Sequence, residues 1–103
     1  MVWFKVDDKF HQHPKARRAG NAALGLWVRC GAYCAQYETD GQLPADIVEE
    51  YGSRREIDRL ITSTLLARVE GGYLMPDFLD YNPSHADLEL KRKTDRERKR
   101  QGD

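Results

Sequence analysis

Arg54, Arg55, Arg59 and Thr62 lie close together in the chain, and Arg55, Arg59 and Thr62 follow an i, i+4, i+7 spacing. On a helix those three side chains point one way. An arginine pairs bidentately with the O6 and N7 of guanine, and a threonine hydroxyl reaches a base edge or a phosphate oxygen. The chemistry on offer is recognition of double-stranded DNA through its major groove. Ser63 adds a hydroxyl to the same side, and Arg68, Lys91, Arg92 and Lys93 supply cations suited to phosphate contacts. The same helix also reads as a solvated face, because Glu56 with Arg59 and Arg55 with Asp58 have the i, i+3 spacing of charge pairs.

Other chemistries are less well supplied. His11, His13, Cys30 and Cys34 contain the donors of a tetrahedral zinc site, but His-x-His with Cys-x₃-Cys is not the spacing of a standard finger. Both cysteines also sit in a segment that reads as core, where a free thiol behaves as a small hydrophobe. Asp7-Asp8 and Glu49-Glu50 read as acidic surface. The chain presents no Ser-His-Asp order and no phosphate-cradling glycine loop. The expectation is a binding protein with no metal and no cofactor, not an enzyme.

The elements that must hold these residues follow from apolar period and punctuation. Asp40-Gly41 is a turn leading into a short helix over 44–51. Gly52-Ser53 breaks the chain. Ser53 with Glu56 has capping-box spacing, so a helix begins at Arg54 and runs to about Leu66, burying Ile57, Leu60, Ile61, Thr64 and Leu65. Val69-Glu70-Gly71-Gly72-Tyr73 is a hairpin signal with the two glycines in the turn. Upstream, Val2-Trp3-Phe4-Lys5-Val6 reads as a short strand, with Phe10 as a core anchor. Pro14 starts a short helix that Gly20 stops. Asn21 is placed to cap the longest helix, 22–37, which is apolar on most faces and therefore central. Its Gly25 and Gly31 read as sites where another backbone comes close. Phe78, Leu79 and Tyr81 are expected to pack back on the body. The order helix, turn, helix, Gly-Gly hairpin is that of a winged helix-turn-helix. The fold class is therefore α+β: a three-helix core with a small antiparallel sheet or wing over residues 1–83, followed by a charged helix or flexible tail over 84–103.

Seventeen basic and seventeen acidic residues cancel, so overall charge gives no argument for nucleic acid. Their distribution is uneven. Residues 91–103 carry seven basic against three acidic side chains, which leaves the first ninety residues with ten basic against fourteen acidic. The opening five residues are too short an apolar run for a signal peptide, and no segment approaches the ~20 apolar residues of a membrane span. A cytoplasmic protein without a membrane partner is expected, with reduced cysteines.

Five stretches in order carry a resemblance: Trp3-Phe4-Lys5-Val6-Asp7 with Phe10 and His13-Pro14-Lys15; Asn21-Ala22-Ala23-Leu24-Gly25-Leu26-Trp27; Thr39-Asp40-Gly41 with Pro44; Val69-Glu70-Gly71-Gly72-Tyr73; and Asp80-Tyr81. Over residues 2 to about 82 the chain resembles the small winged-helix proteins of actinobacterial phages and prophages. It resembles, more distantly, the N-terminal domain of phage replisome-organiser and DnaD-like replication initiation proteins. The resemblance implies DNA binding in replication initiation or transcriptional control within a bacterial host. Winged helices also bind proteins, so a module that recruits or inhibits a host replication or transcription factor is the alternative.

Overall fold

A computed structural model describes residues 2–101; residues 102 and 103 of the expected tail lie outside it. After a 3₁₀ turn at Phe10–Gln12, the elements are α1 (Pro14–Tyr37), β1 (Gln42–Pro44), α2 (Ala45–Tyr51), α3 (Arg54–Thr62), β2 (Ala67–Val69), β3 (Gly72–Leu74), α4 (Phe78–Tyr81) and α5 (His85–Gln101). The three strands form one antiparallel sheet in the order β1-β3-β2, with Leu43 and Arg68 both opposite Tyr73. This is an α+β fold of winged-helix type: α1, α2 and α3 form the helical core, and β2 and β3 form the wing. No helix among the described residues is long and apolar enough to cross a membrane.

α1 is the central helix, and its packing against α3 is the most extensive in the molecule. It buries Ala19, Ala23, Leu26, Trp27, Cys30, Cys34 and Ala35 into a core completed by Val48, Ile57, Leu60, Leu65, Leu66, Tyr73, Met75 and Phe78. Gly20 breaks α1 with φ 80 and ψ 163, a conformation that only glycine adopts without strain. The junction residue is thus Gly20, and Asn21 is the first residue of the longer segment, not its cap. The 22–37 segment is also less enclosed than its composition implied, because Val28 and Tyr37 are more than half exposed or close to it.

Several local expectations are corrected. Residues 2–6 pair with no strand. They run extended over the body, where the amide of Lys5 donates to Asn82 Oδ1 at 2.7 Å and the Phe4 ring fills the notch left by Gly31. Gly31 therefore admits a side chain instead of a backbone, and nothing lies close to Gly25. Phe4 meets Trp27 edge-on at 5.0 Å, and Phe10 stacks on Trp27 at 4.3 Å. Gln42–Pro44 forms a strand that composition did not announce, and Pro44 serves as the N-cap residue of α2 rather than its first turn. Phe78 is buried, but Leu79 and Tyr81 face outward.

α3 begins as its sequence requires. Ser53 Oγ accepts from the amide of Glu56 at 3.2 Å, and Glu56 Oε1 accepts from the amide of Ser53 at 2.7 Å. Each satisfies a donor that has no partner inside the helix. Replacing Ser53 with alanine should lower stability by about 1 kcal/mol. The hydrogen bonds from Ser53 hold the Glu56 carboxyl below its ordinary value of 4.5. Its contribution is therefore complete above that pH and is lost as pH falls through the lower folded value. Acid titration of thermal stability should show this component in the wild type but not in Glu56→Gln. An identical acid limb in both proteins would refute it.

The helix stops four residues earlier than expected. Thr64 takes φ 64, its amide donates to Ile61 O at 3.0 Å, and the amide of Leu65 donates to Leu60 O at 2.9 Å. These are the bonds of a Schellman closure. The closure turns Thr64 out to solvent and tucks Leu65 and Leu66 beneath α3.

Candidate nucleic-acid interface

The capping box fixes the start of α3, while burial of Ile57 and Leu60 fixes its rotation. Arg54, Arg55, Asp58, Arg59 and Thr62 are consequently exposed. Together with Arg18 from the first segment of α1 they line an open groove. Arg59 Nη1 donates to the carbonyl of Arg18 at 3.2 Å, which ties the two walls. Beside this groove, Arg55 and Arg59 also border a shallow depression over Ala19–Ala23 of α1. Four arginines and one carboxylate thus line the same groove on an otherwise acidic body. Such clustering focuses positive potential where overall charge is unhelpful.

Arg18 was not among the residues singled out from sequence. It is thirty-six residues from Arg54, and only the packing of α1 on α3 joins them. Ser63 is the opposite case. Its side chain is buried, with Oγ donating to Leu60 O at 3.1 Å. The expectation that Ser63 faces DNA beside Thr62 is therefore overturned, because the chain leaves the helix there and turns the hydroxyl onto the last turn.

Arg68 on β2 reaches back to α3, with Nη2 at 3.3 Å from Asp58 Oδ1, and its guanidinium lies 6.0 Å from the Tyr73 ring centroid. The i, i+3 pairs expected within α3 do not form. Asp58 instead pairs with the wing, and Glu56 is engaged in the cap.

The basic tail is a helix attached elsewhere. Asp40 Oδ1 accepts from the amide of His85 at 2.7 Å, and Arg92 reaches Glu38 at 2.8 Å and Glu89 at 3.0 Å. Glu38 follows the C-terminus of α1, about 20 Å along that helix from Ala23 beside α3. Arg92 is therefore paired with one carboxylate of the body, Glu38, and with Glu89 on its own helix, while its side chain stays 43% exposed. Lys91 and Lys93 are exposed.

No group of three or more His, Cys, Asp or Glu side chains is assembled to hold a metal among the described residues. Cys30 and Cys34 are buried free thiols. Burial pushes the Cys30 thiol up to about 12 and raises that of Cys34, so both remain protonated and poor nucleophiles. An apolar cavity lies on another side of the molecule, between residues 4–10 and α4, lined by Phe4, Phe10, Trp27, Met75 and Phe78. Its rim carries an ion pair of 2.7 Å between Lys15 and Asp77.

Comparison with protein-family models, curated proteins and solved structures returned no match.

Proposed function

We propose that the chain is a DNA-binding winged-helix protein of phage or prophage origin, acting in replication initiation or transcriptional control in the bacterial cytoplasm. In this reading it is a binding protein, not a catalyst. Arg55, Arg59 and Thr62 face the major groove, Arg54 and Arg18 border it, and Arg68 with Lys91 and Lys93 contacts phosphates. One observation carries the reading: the arginines of α3 point outward and converge with Arg18 on an open, cationic groove. The winged-helix order of elements supports it, because that architecture presents one helix to DNA. The resemblance to phage proteins supplies the biological setting.

The test is binding to DNA selected from a random library by the wild-type protein. Arg55→Ala with Arg59→Ala should weaken that binding by about 100-fold or more, and the residual affinity should fall less steeply with added salt. The thermal transition should stay close to wild type, since both side chains are exposed. Equal affinity of the two proteins for the selected site would refute the assignment.

A second reading is favoured by the apolar side of the molecule. Trp3 is 72% exposed, and Val6 and Tyr81 open onto the aromatic cavity. Such a surface suits a protein partner, as in a module that recruits or inhibits a host replication or transcription factor. Absence of DNA affinity at low salt, together with capture of a host factor that Trp3→Ala abolishes, would favour this reading over the first.

A further inference from the structure

Asp58 is out of place in a groove built only to attract phosphate. It is the one carboxylate among Arg18, Arg54, Arg55 and Arg59, and it lowers the potential they create. Its contribution to folding is small. The pair with Arg68 is 3.3 Å long and both side chains are more than half exposed, a setting in which ion pairs contribute little and are screened by salt. On α3, Asp58 is three residues after Arg55, one before Arg59 and four before Thr62, within the outward stripe.

We propose that Asp58 is a specificity-determining residue, reading the exocyclic amine of a cytosine beside guanines read by Arg55 and Arg59. The inference rests on the duplex-binding function proposed above. An ionised carboxylate only accepts hydrogen bonds. In the major groove cytosine N4 and adenine N6 are the donors, whereas guanine O6 and N7 and thymine O4 are acceptors that a carboxylate repels. Aspartate matches the single donor of cytosine; adenine places an N7 acceptor next to its amine. Engagement of the base releases Arg68 from Asp58, and the freed guanidinium at the start of the wing turns to a phosphate. One weak intramolecular pair is exchanged for two contacts to DNA, so the carboxylate selects sequence while the released arginine restores affinity.

The test uses the full chain in four forms: wild type, Asp58→Ala, Asp58→Asn and Arg68→Ala. Each undergoes selection from a random DNA library, followed by affinity measurement on the wild-type site and its single-base variants. Wild type should enrich a site with cytosine at one position next to guanines. Asp58→Ala should lose about 10-fold discrimination at that position alone, while binding mixed-sequence DNA more tightly. Asp58→Asn should shift the preference there to adenine, which an amide side chain contacts bidentately. Arg68→Ala should weaken binding to all sequences and keep the base preference. An unchanged preference in Asp58→Ala would overturn the inference while leaving DNA binding intact. Equal loss of preference in Arg68→Ala would assign the effect to the hairpin and overturn it as well. A wild-type protein that enriches no sequence would remove the proposed function, and this inference with it.

Discussion

Gly72→Ala destabilises the protein by about 3 kcal/mol or more, whereas Gly71→Ala, one residue earlier, costs about 1 kcal/mol. The two glycines look equivalent in the sequence, as the pair at a hairpin tip. Their environments differ. The register pairs Val69 with Gly72, so the two-residue turn is Glu70-Gly71 and Gly72 already belongs to β3. Gly71 has φ 83 with open space around it, so an added methyl group meets only backbone strain. A Cβ on Gly72 collides with the carbonyl oxygen of Leu43 and comes within 2.9 Å of the amide nitrogen of Ala45. Those are backbone atoms of β1 and of the start of α2, and they cannot rotate away. Relief requires β1 to separate from β3, which also moves the entry to α2. Equilibrium denaturation of the two variants checks the order. Equal destabilisation would mean that turn geometry, not the closeness of β1, requires glycine at both places.

Leu60→Ala should remove about 3–4 kcal/mol, a large part of the 5–15 kcal/mol by which a domain is usually stable. The side chain is fully buried, on the inner face of α3, among the residues that join α1 to the sheet. Its carbonyl also accepts from the amides of Leu65 and Leu66 and from Ser63 Oγ. The same residue therefore anchors α3 from within and organises the turn that follows. The cavity left by truncation adds to the lost transfer free energy, since a helix pinned by those bonds cannot settle inward. Denaturant titration measures the loss, and the midpoint should move without a change in slope. A loss below about 1 kcal/mol would show that the surroundings collapse into the gap and that Leu60 is not what seats α3.

Features encoded by near neighbours were legible in the sequence. The capping box at Ser53 and Glu56 is one, because both partners and their spacing lie within a single turn. The break at Gly20 is another, since glycine marks a backbone that other residues avoid; the hairpin was legible as a hairpin, but its turn is Glu70-Gly71 and not the glycine pair, because Gly72 is required by the closeness of β1. The end of α3 was not legible, because its left-handed closing residue is Thr64, a β-branched residue that rarely adopts that conformation. With no glycine to mark it, the helical period appeared to continue. Residues 2–6 carry the composition of a strand, but Phe4 finds its place in a notch at Gly31, a partner no local pattern reveals. β1 is three residues long and ends in proline, below what alternation can signal.

The candidate site divides in the same way. Arg54, Arg55, Arg59 and Thr62 were readable from helical spacing, and the structure places them outward as that spacing requires. Arg18, and the turning of Asp58 toward Arg68, depend on packing between distant segments. Ser63 was misread because the expected helix ran through it. Where the chain actually departs from the helix decides whether that hydroxyl meets solvent or the carbonyl of Leu60.

The attachment of α5 has a mechanical consequence. Its 17 residues make a rod about 25 Å long, held at its first residue, His85, by Asp40 and near its middle, at Arg92, by Glu38. Both clamps belong to the short connection between α1 and β1, where Glu38 and Asp40 have φ 54 and 57. A swing of about 10° at that connection would sweep the far tip of the rod through about 4 Å. Small adjustments there would be amplified into displacements of the size of a side chain, and a probe carried at the tip would report them.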